Sequence, residues 1–255
     1  MDDPDCELDA LGDALETIDR AGRWSGRDRL LIGDVRRLLA GLPAGDLTVL
    51  DVGAGGAYAT ARLARRLARG GWRPRLILAD LHAGALRIAR QRMTAGSAED
   101  VSDGRVTRLV RLDAPSLPFR DGAIDLAVSA ATLHHLETPE ATRMLHELAR
   151  VVRIGFSVID LRRSRLTYAA TRCLAATVWR THPYPRRDGP ISVRRAFTAA
   201  EARDLLVSAG LEGGVVRARP AWIAIRWVPG GLVAEAPRVR DLWFIRPAAA
   251  APAEP

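Results

Sequence analysis

The most constraining feature of this chain is an apolar stretch that ends in an acidic residue and a cluster of glycines. Residues 48–63 read TVLDVGAGGAYATARL. The apolar run is typical of a buried strand, the glycines of a tight turn and the following residues of a helix. Residues 76–80, LILAD, repeat the strand and the acid at the distance that a βαβ unit needs. The sequence therefore predicts a nucleotide-binding turn, with Asp51 and Asp80 at the carboxyl ends of neighbouring parallel strands.

Strand and helix patterns alternate along most of the chain. After two amphipathic helices at 8–18 and 30–39, we expect strands at 47–51, 75–79, 106–112, 124–129 and 155–160. Helices are expected at 57–69, at 83–93, from residue 138 onward and at 198–209, before two antiparallel strands near 214–218 and 221–228. Repeated βα units predict an α/β fold with a parallel sheet.

The βα rhythm stops after the fifth predicted strand. Residues 162–195 contain a helical pattern at 166–179 and the proline-rich run THPYPRRDGP at 181–190. We expect this segment to be an insertion over the carboxyl edge of the sheet. The predicted organisation is a helical cap at 1–45, a domain at 46–246 with a lid insertion at 162–195, and a disordered tail at 247–255.

Composition limits the chemistry. All 38 basic residues are arginine, so a Walker-type phosphate lysine and a lysine Schiff base are excluded. The net charge of +8 would suit an anionic partner, but the exclusive use of arginine indicates GC-rich coding, and nucleic-acid binding is not favoured. Cys6 and Cys173 form no metal-binding or disulfide pattern, and no apolar run reaches the roughly 18 residues of a membrane span. We expect a cytoplasmic monomer or homodimer.

The glycine turn argues against a dinucleotide. Gly53, Gly55 and Gly56 are followed by Ala57 and Tyr58, so the third glycine of the dinucleotide fingerprint is missing. An acid directly before the turn suits an amino-bearing ligand better than a pyrophosphate. A nucleoside joined to an amino acid, without phosphate, fits both features.

With these residues the chain resembles the class I S-adenosylmethionine-dependent methyltransferases. Their first motif is an acid, any residue, glycine, any residue and glycine, which here is residues 51–55, DVGAG. Three further motifs agree in order and spacing: Asp80-Leu81, Asp113-Ala114, and a fourth strand that runs through Ala130 into TLHHL at 132–136. The resemblance covers 47–211. It implies a Rossmann-like sheet of seven strands, mostly parallel, with the last strand antiparallel.

The same resemblance implies S-adenosylmethionine as the cofactor. Asp80 would accept both ribose hydroxyls and Asp113 the adenine amine, while the backbone of Gly53, Ala54 and Gly55 would lie against the methionine moiety. Asp51, Leu81, Ala114 and Ala130 complete the implied cofactor site. From the residues alone, Asp51 is also explained as a strand-end cap, Asp80 as a helix cap and Asp113 as a turn residue.

The segment after the fourth strand faces the methyl group in this family. Residues 130–133, AATL, lack the acid or asparagine, prolines and aromatic of members that methylate amines of adenine or glutamine, and neither cysteine follows a proline, as cytosine-ring methylation requires. Methylation of oxygen, carbon or nitrogen in a small molecule remains. His134 or His135 would act as the base. Neighbours on a helical turn diverge by about 100°, so we favour His134, and a structural role for both stays open. No metal is predicted.

The insertion is expected to select the substrate. Its apolar helical face, with Tyr168 and Tyr184, would cover an apolar or aromatic acceptor, or would be core only. Arg162 would hold a carboxylate or phenolate unless it faces solvent. Residues 160–165 and 192–197 resemble a bacterial subgroup linked to type III polyketide synthases and phenolic lipids. The predicted function is methyl transfer to an oxygen or carbon of a phenolic or polyketide-like molecule in secondary metabolism. An RNA or protein methyltransferase, an inactive binding protein and an NAD-linked oxidoreductase are the alternatives.

Overall fold

A computed structural model of the chain, which describes residues 8–95 and 108–230, contains one seven-stranded sheet. The strands are β1 (Asp46–Val52), β2 (Arg73–Asp80), β3 (Arg108–Arg111), β4 (Ile124–Ala130), β5 (Val152–Leu161), β6 (Val215–Ala218) and β7 (Trp222–Trp227). Their order across the sheet is β3-β2-β1-β4-β5-β7-β6. Strands β1 to β5 are parallel, whereas β7 pairs antiparallel with both β5 and β6. The predicted mixed sheet with an antiparallel last strand is confirmed.

Helices cover both faces of the sheet. They are α1 (Leu8–Trp24), α2 (Arg27–Leu38), α3 (Tyr58–Arg69), α4 (Ala83–Ala95), α5 (Thr138–Val151), α6 (Arg165–Ala176), α7 (Pro183–Arg195) and α8 (Ala199–Ser208). Alternate residues of β1 enter two separate cores, because side chains of a strand point to opposite faces. Val49 packs with residues of α2 and α3, and Leu50 packs with residues of α5 and α8.

The strand order places a crevice above the first strand. The chain moves from β1 outward to β2 and β3, then returns to β4 on the other side of β1. The loops after β1 and β4 therefore leave the sheet toward opposite faces, which opens a space at the carboxyl ends of these strands. All predicted cofactor residues lie at the ends of strands at this edge or in the loops that follow them.

The insertion differs from its prediction in local structure. The proline-rich run lies mostly within α7, which begins at Pro183, where a missing N–H costs nothing, and which also contains Pro190. Helix α6 ends at Ala176 rather than at 179, because Thr177 leaves the helical conformation. Helices α6 and α7 pack against each other at Trp179. The Trp179 ring lies so close to Gly189 that a Cβ added there would be only 2.6 Å from the ring. The predicted tail at 247–255, part of the predicted 106–112 strand and Cys6 lie outside the described residues.

Candidate active site

The glycine turn is shaped by its neighbours in the sheet. Gly53 and Gly55 have φ angles of +74° and +52°, which L side chains rarely adopt. The N–H groups of Gly53 and Ala54 donate to the carbonyl of Ala79 at 2.8 and 3.0 Å. A Cβ on Gly53 would overlap the side chain of Thr132, in the loop after β4. The turn thus needs glycine here because two loops approach each other closely.

Asp51 lies at the floor of the turn and is only 4% exposed. Its carboxylate accepts a hydrogen bond from the Thr60 hydroxyl on α3. The pKa of Asp51 is raised to about 7, mainly by burial; the Thr60 hydrogen bond and Arg27 oppose this rise, and the charge of Asp80 contributes to it. Because few nearby groups stabilise the charged form of Asp51, a bound cationic group close to its carboxylate would favour ionisation.

Asp80 holds the loops on either side of the crevice. One carboxylate oxygen accepts the N–H of Gly55 at 2.8 Å, and the other accepts the N–H of His82 at 2.8 Å. The helix cap that the sequence offered as an alternative role for Asp80 belongs instead to His82, whose Nδ1 accepts the N–H groups of Gly84 and Ala85 at 3.1 and 3.3 Å. Each oxygen of Asp80 keeps a further lone pair for a hydroxyl donor.

Asp113 stands exposed at the mouth of the crevice. The turn that follows is closed by its main chain, since the Ser116 N–H donates to the Asp113 carbonyl at 3.1 Å. Within the described residues its carboxylate has no hydrogen-bond partner. The side chain is therefore available to a ligand, beside the buried Ala114.

His134 and His135 occupy a short 3₁₀ turn, Leu133–His135, directly after β4. His134 is 5% exposed, whereas His135 is exposed, and both side chains line the cleft described below. Their rings lie 4.2 Å apart between centroids. His134 Nδ1 is 2.7 Å from the carboxylate of Asp160, near the end of β5, which also accepts the His134 backbone N–H at 3.2 Å.

Asp160 is a site residue that sequence reasoning did not identify. It is 1% exposed, and its carboxylate also accepts the Leu161 N–H at 2.5 Å. Its position at the end of the fifth predicted strand, next to the fourth, was the available signal. The same pattern, an acid at the end of an apolar strand, is the one that predicts Asp51 and Asp80.

His134, His135 and the residues of the glycine turn line one open cleft of about 1,940 Å³, whereas Asp160, which contacts His134, does not line it. A typical site for one small ligand has about 300–1,000 Å³, so the cleft has room for two. It brings together both histidines and every predicted cofactor residue: Asp51, Gly53, Ala54, Gly55, Asp80, Leu81, Asp113, Ala114 and Ala130. Its roof is formed by residues of α1, α6 and α7.

The predicted substrate residues are only partly in this cleft. Tyr184 on α7 lines it, whereas Arg162 and Tyr168 do not. The guanidinium of Arg162 donates to the Arg219 carbonyl at 3.2 Å. On α6 the cleft is lined by Leu166, Thr167, Ala170, Thr171 and Leu174, and Tyr168 projects from another side of this helix. The predictions for Arg162 and Tyr168 are therefore corrected, because neither side chain reaches the cleft.

An ion-pair network ties the cap to the glycine turn. Arg27 at the start of α2 contacts Asp19 on α1 and, at 3.1 Å, Asp28. Arg62 on α3 contacts both carboxylates at 2.5 Å. Because α3 begins directly after the turn, this alternation of charges fixes the cap beside the cleft. The sequence alone does not indicate this network, since its four residues come from three helices.

Within 8–95 and 108–230 there is no group of three or more His, Cys, Asp or Glu side chains that could hold a metal ion. In the same ranges no helix is long and apolar enough to cross a membrane.

Residues 49–155 match the family model of a methyltransferase domain. An "uncharacterized methyltransferase" of Mycobacterium sp. (strain KMS) is 31% identical over 125 residues, 49% of this chain and 42% of that protein. The chain thus spans less than half the length of the curated relatives it matches.

Solved structures share the fold. A SAM-dependent methyltransferase from Aquifex aeolicus superimposes with a TM-score of 0.56 at 18% identity, over 87% of this chain and 98% of that one. A putative S-adenosyl-L-methionine-dependent methyltransferase from Methanococcus maripaludis gives 0.56 at 14% identity, over 91% and 100%.

The sheet order and the acids at its carboxyl edge define the class I methyltransferase fold. Residues 49–155, which match the model of a methyltransferase domain, contain the glycine turn and the acids Asp51, Asp80 and Asp113 at this edge.

Proposed function

We propose that this chain transfers a methyl group from S-adenosylmethionine to an oxygen of an apolar phenolic or enolic small molecule. The observation that carries this proposal is the contact between His134, which lines the cleft, and the buried Asp160. A buried imidazole held by a carboxylate is suited to removing a proton. An acceptor with an acidic hydroxyl must lose its proton when the oxygen is methylated. The rest of the site is consistent with such an acceptor.

The residues at the turn fit the cofactor. Gly53 and Gly55 line the cleft and carry no side chain, so their backbone can lie against a ligand. Asp51 would face the ammonium of the amino-acid part, which would restore its charged form. Asp80 would accept the ribose hydroxyls on the lone pairs that Gly55 and His82 leave free, and Asp113 the adenine amine. None of these groups is a phosphate ligand.

The bound cofactor would supply an electrophilic methyl group on a sulfonium. The chain then has two tasks, which are to align the acceptor and to take its proton. Alignment within a closed site is a large part of such catalysis. The lid helices α6 and α7 and the loop after β4 would do this work.

His134 has the geometry of a base. With Asp160 accepting at Nδ1, the proton of the neutral imidazole resides on Nδ1 and the lone pair on Nε2. No described residue forms a hydrogen bond with Nε2. Nε2 would accept the proton of an acceptor hydroxyl, and Asp160 would stabilise the imidazolium that results.

The character of the lid favours an apolar acceptor. Several large apolar side chains that line the cleft are exposed to it, with exposures of 79% for Trp24, 68% for Leu166 and 65% for Val178. Contiguous exposed apolar surface marks binding sites. Tyr184 adds an aromatic ring with a polar end. A phenolic ring with an apolar substituent would cover this surface.

The test is transfer of labelled methyl from S-adenosylmethionine into a panel of alkyl phenols, phenolic polyketides, arylamines and RNA. Transfer to phenols that falls by at least 100-fold in His134→Gln, with unchanged binding of S-adenosylhomocysteine, is expected. Transfer to amines or RNA alone would overturn the acceptor class. Absence of cofactor binding by calorimetry would overturn the proposal as a whole.

A further inference from the structure

A second concave site lies away from the cleft, between α2 and α3. This groove has a volume of about 730 Å³, and six of its eight lining residues are arginine: Arg29, Arg36, Arg62, Arg65, Arg66 and Arg69. Gly33 and Ile32 of α2 complete the lining. None of these eight residues lines the cleft described above.

Five of the six guanidinium groups have no partner among the described residues. Arg62 is engaged by Asp19 and Asp28, but the other five form neither an ion pair nor a hydrogen bond within the described ranges. Arginines elsewhere are often neutralised, as Arg73 is by Asp46 and Arg163 by Glu201. The groove thus concentrates uncompensated positive charge.

The absence of acids from this surface is not explained by a general preference for arginine. The chain has 30 acidic residues, yet α3 has none. The two acids of α2 point inward: Asp28 is 7% exposed and pairs with Arg27 and Arg62, and Asp34 is 0% exposed and pairs with Arg217. Coding bias would add arginine without removing carboxylates from one face.

The arginines form two rows, one on each helix. Arg29 and Arg36 lie two turns apart on α2, and Arg62 and Arg69 lie two turns apart on α3, with Arg65 and Arg66 between them. Seven residues of helix span about 10.5 Å. A single phosphate would contact only part of these two rows, whereas a chain of phosphates would contact both helices over two turns. One guanidinium group can donate two parallel hydrogen bonds to the oxygens of a phosphate, which makes such contacts geometrically specific.

The groove does not have the features of a nucleic-acid track. Binding of single strands usually combines basic groups with aromatic side chains on which bases stack, and no aromatic residue lines the groove. Its volume is that of a small-ligand site.

We propose that the α2–α3 groove binds a di- or triphosphate group, carried either by a nucleotide or by inorganic polyphosphate. The five unpartnered guanidinium groups supply the charge that such an anion needs. Recognition is of the phosphate chain, so affinity increases with the number of phosphates. This site is independent of the methyl-transfer proposal, because S-adenosylmethionine has no phosphate.

The experiment is calorimetry of the full chain with inorganic triphosphate, ATP, ADP and AMP at about 0.15 M salt, where long-range attraction between charges is largely screened. The groove variant is Arg36→Gln/Arg66→Gln/Arg69→Gln. Its matched control is Arg87→Gln/Arg143→Gln/Arg203→Gln, which removes three exposed arginines outside both cavities. We expect saturable binding of triphosphate, weaker by at least tenfold in the groove variant and unchanged in the control.

Equal affinity for inorganic triphosphate and ATP would identify the phosphate chain as the whole ligand, and tighter ATP would add the nucleoside; both results support the site. Equal losses in the two variants would overturn it in favour of general charge attraction. AMP binding as tightly as triphosphate would overturn it as well. Retained S-adenosylhomocysteine binding in the groove variant shows that the fold is intact.

Discussion

Nδ1 of His134 lies 2.7 Å from the carboxylate of Asp160, although the two residues are 26 positions apart in the chain. They meet because β4 and β5 are parallel neighbours whose carboxyl ends lie at the same edge. The contact fixes the ring of His134 and the position of its proton. In the proposed function, this one contact separates a catalytic base from a residue that only packs.

Replacement of Asp160 tests that relationship. In Asp160→Asn an amide N–H can face Nδ1, which places the ring proton on Nε2 and removes the base. We expect turnover to fall by roughly 10²–10⁴-fold, with the affinity for S-adenosylhomocysteine unchanged in calorimetry.

Two comparisons make that result specific. His146→Gln, on α5, should leave turnover within about twofold of the unaltered protein, since a distant surface change carries no transition-state contact. If His135→Gln reduced turnover more than His134→Gln, the base would be His135 and the assignment made here would be wrong.

Cofactor affinity should depend on pH through Asp51. Its pKa of about 7 leaves the acid neutral below that value and ionised above it. If the charged form binds the cofactor ammonium, affinity for S-adenosylhomocysteine should fall about tenfold per pH unit below 7 and level off above it. Calorimetry between pH 5.5 and about 8.5 measures this. Asp51→Asn should bind weakly and without pH dependence.

Thr60 sharpens the same prediction. Its hydroxyl donates to Asp51 and favours the charged form, so Thr60→Val should move the midpoint of the affinity profile to higher pH. Thr60→Ser keeps the hydroxyl and should leave the midpoint in place. A profile that is identical in all three proteins would show that Asp51 does not titrate with binding.

The stability of the cofactor-free protein should change in the opposite sense. Since the folded-state pKa of Asp51 is raised from 3.8 to about 7, the folded chain binds the extra proton between these values. Its contribution to the free energy of unfolding is present at low pH and is lost as pH rises through 7. Urea denaturation of Asp51→Asn at pH 8 should give a more stable protein than the unaltered chain, and a less stable one would contradict the buried carboxylate.

Loss of the Asp80 carboxylate should disable the cofactor site. Asp80→Ala removes the acceptor for two backbone N–H groups that shape the loops, as well as the proposed ribose contact. Binding of S-adenosylhomocysteine is expected to fall below detection in calorimetry. Asp46→Ala, an exposed acid at the other end of β1, serves as the control and should bind normally.

The glycine turn allows a matched test of steric need. Gly53 and Gly41 both have positive φ, +74° and +84°, but a Cβ on Gly41 would meet nothing within 4 Å. Gly41→Ala should cost only backbone strain, about 1 kcal/mol in urea denaturation. Gly53→Ala should cost more, because the Cβ overlaps Thr132, and should also weaken cofactor binding. Equal costs would contradict the close approach of the two loops.

Much of the candidate cofactor site was predictable because its residues lie at the ends of strands or directly after them in sequence. Asp51, Asp80 and Asp113 each lie where an apolar run ends, and parallel strands bring such ends to one edge. The lid was less predictable, since helix orientation decides which side chain of α6 reaches the cleft. Tyr168 was assigned to the substrate and projects elsewhere, and prolines at 183, 185 and 190 concealed a helix.

Local order in the sequence by itself determined the βα succession, the glycine turn and the acids of the cofactor site, since these follow from periodicity and from short motifs. Tertiary structure alone decided the partner of His134, the capping of α4 by His82 and the network of Asp19, Arg27, Asp28 and Arg62. It also placed the arginines of α2 and α3 on facing sides of one groove. Such contacts join residues that are distant in sequence, and their distances depend on how whole helices and strands pack rather than on local preference.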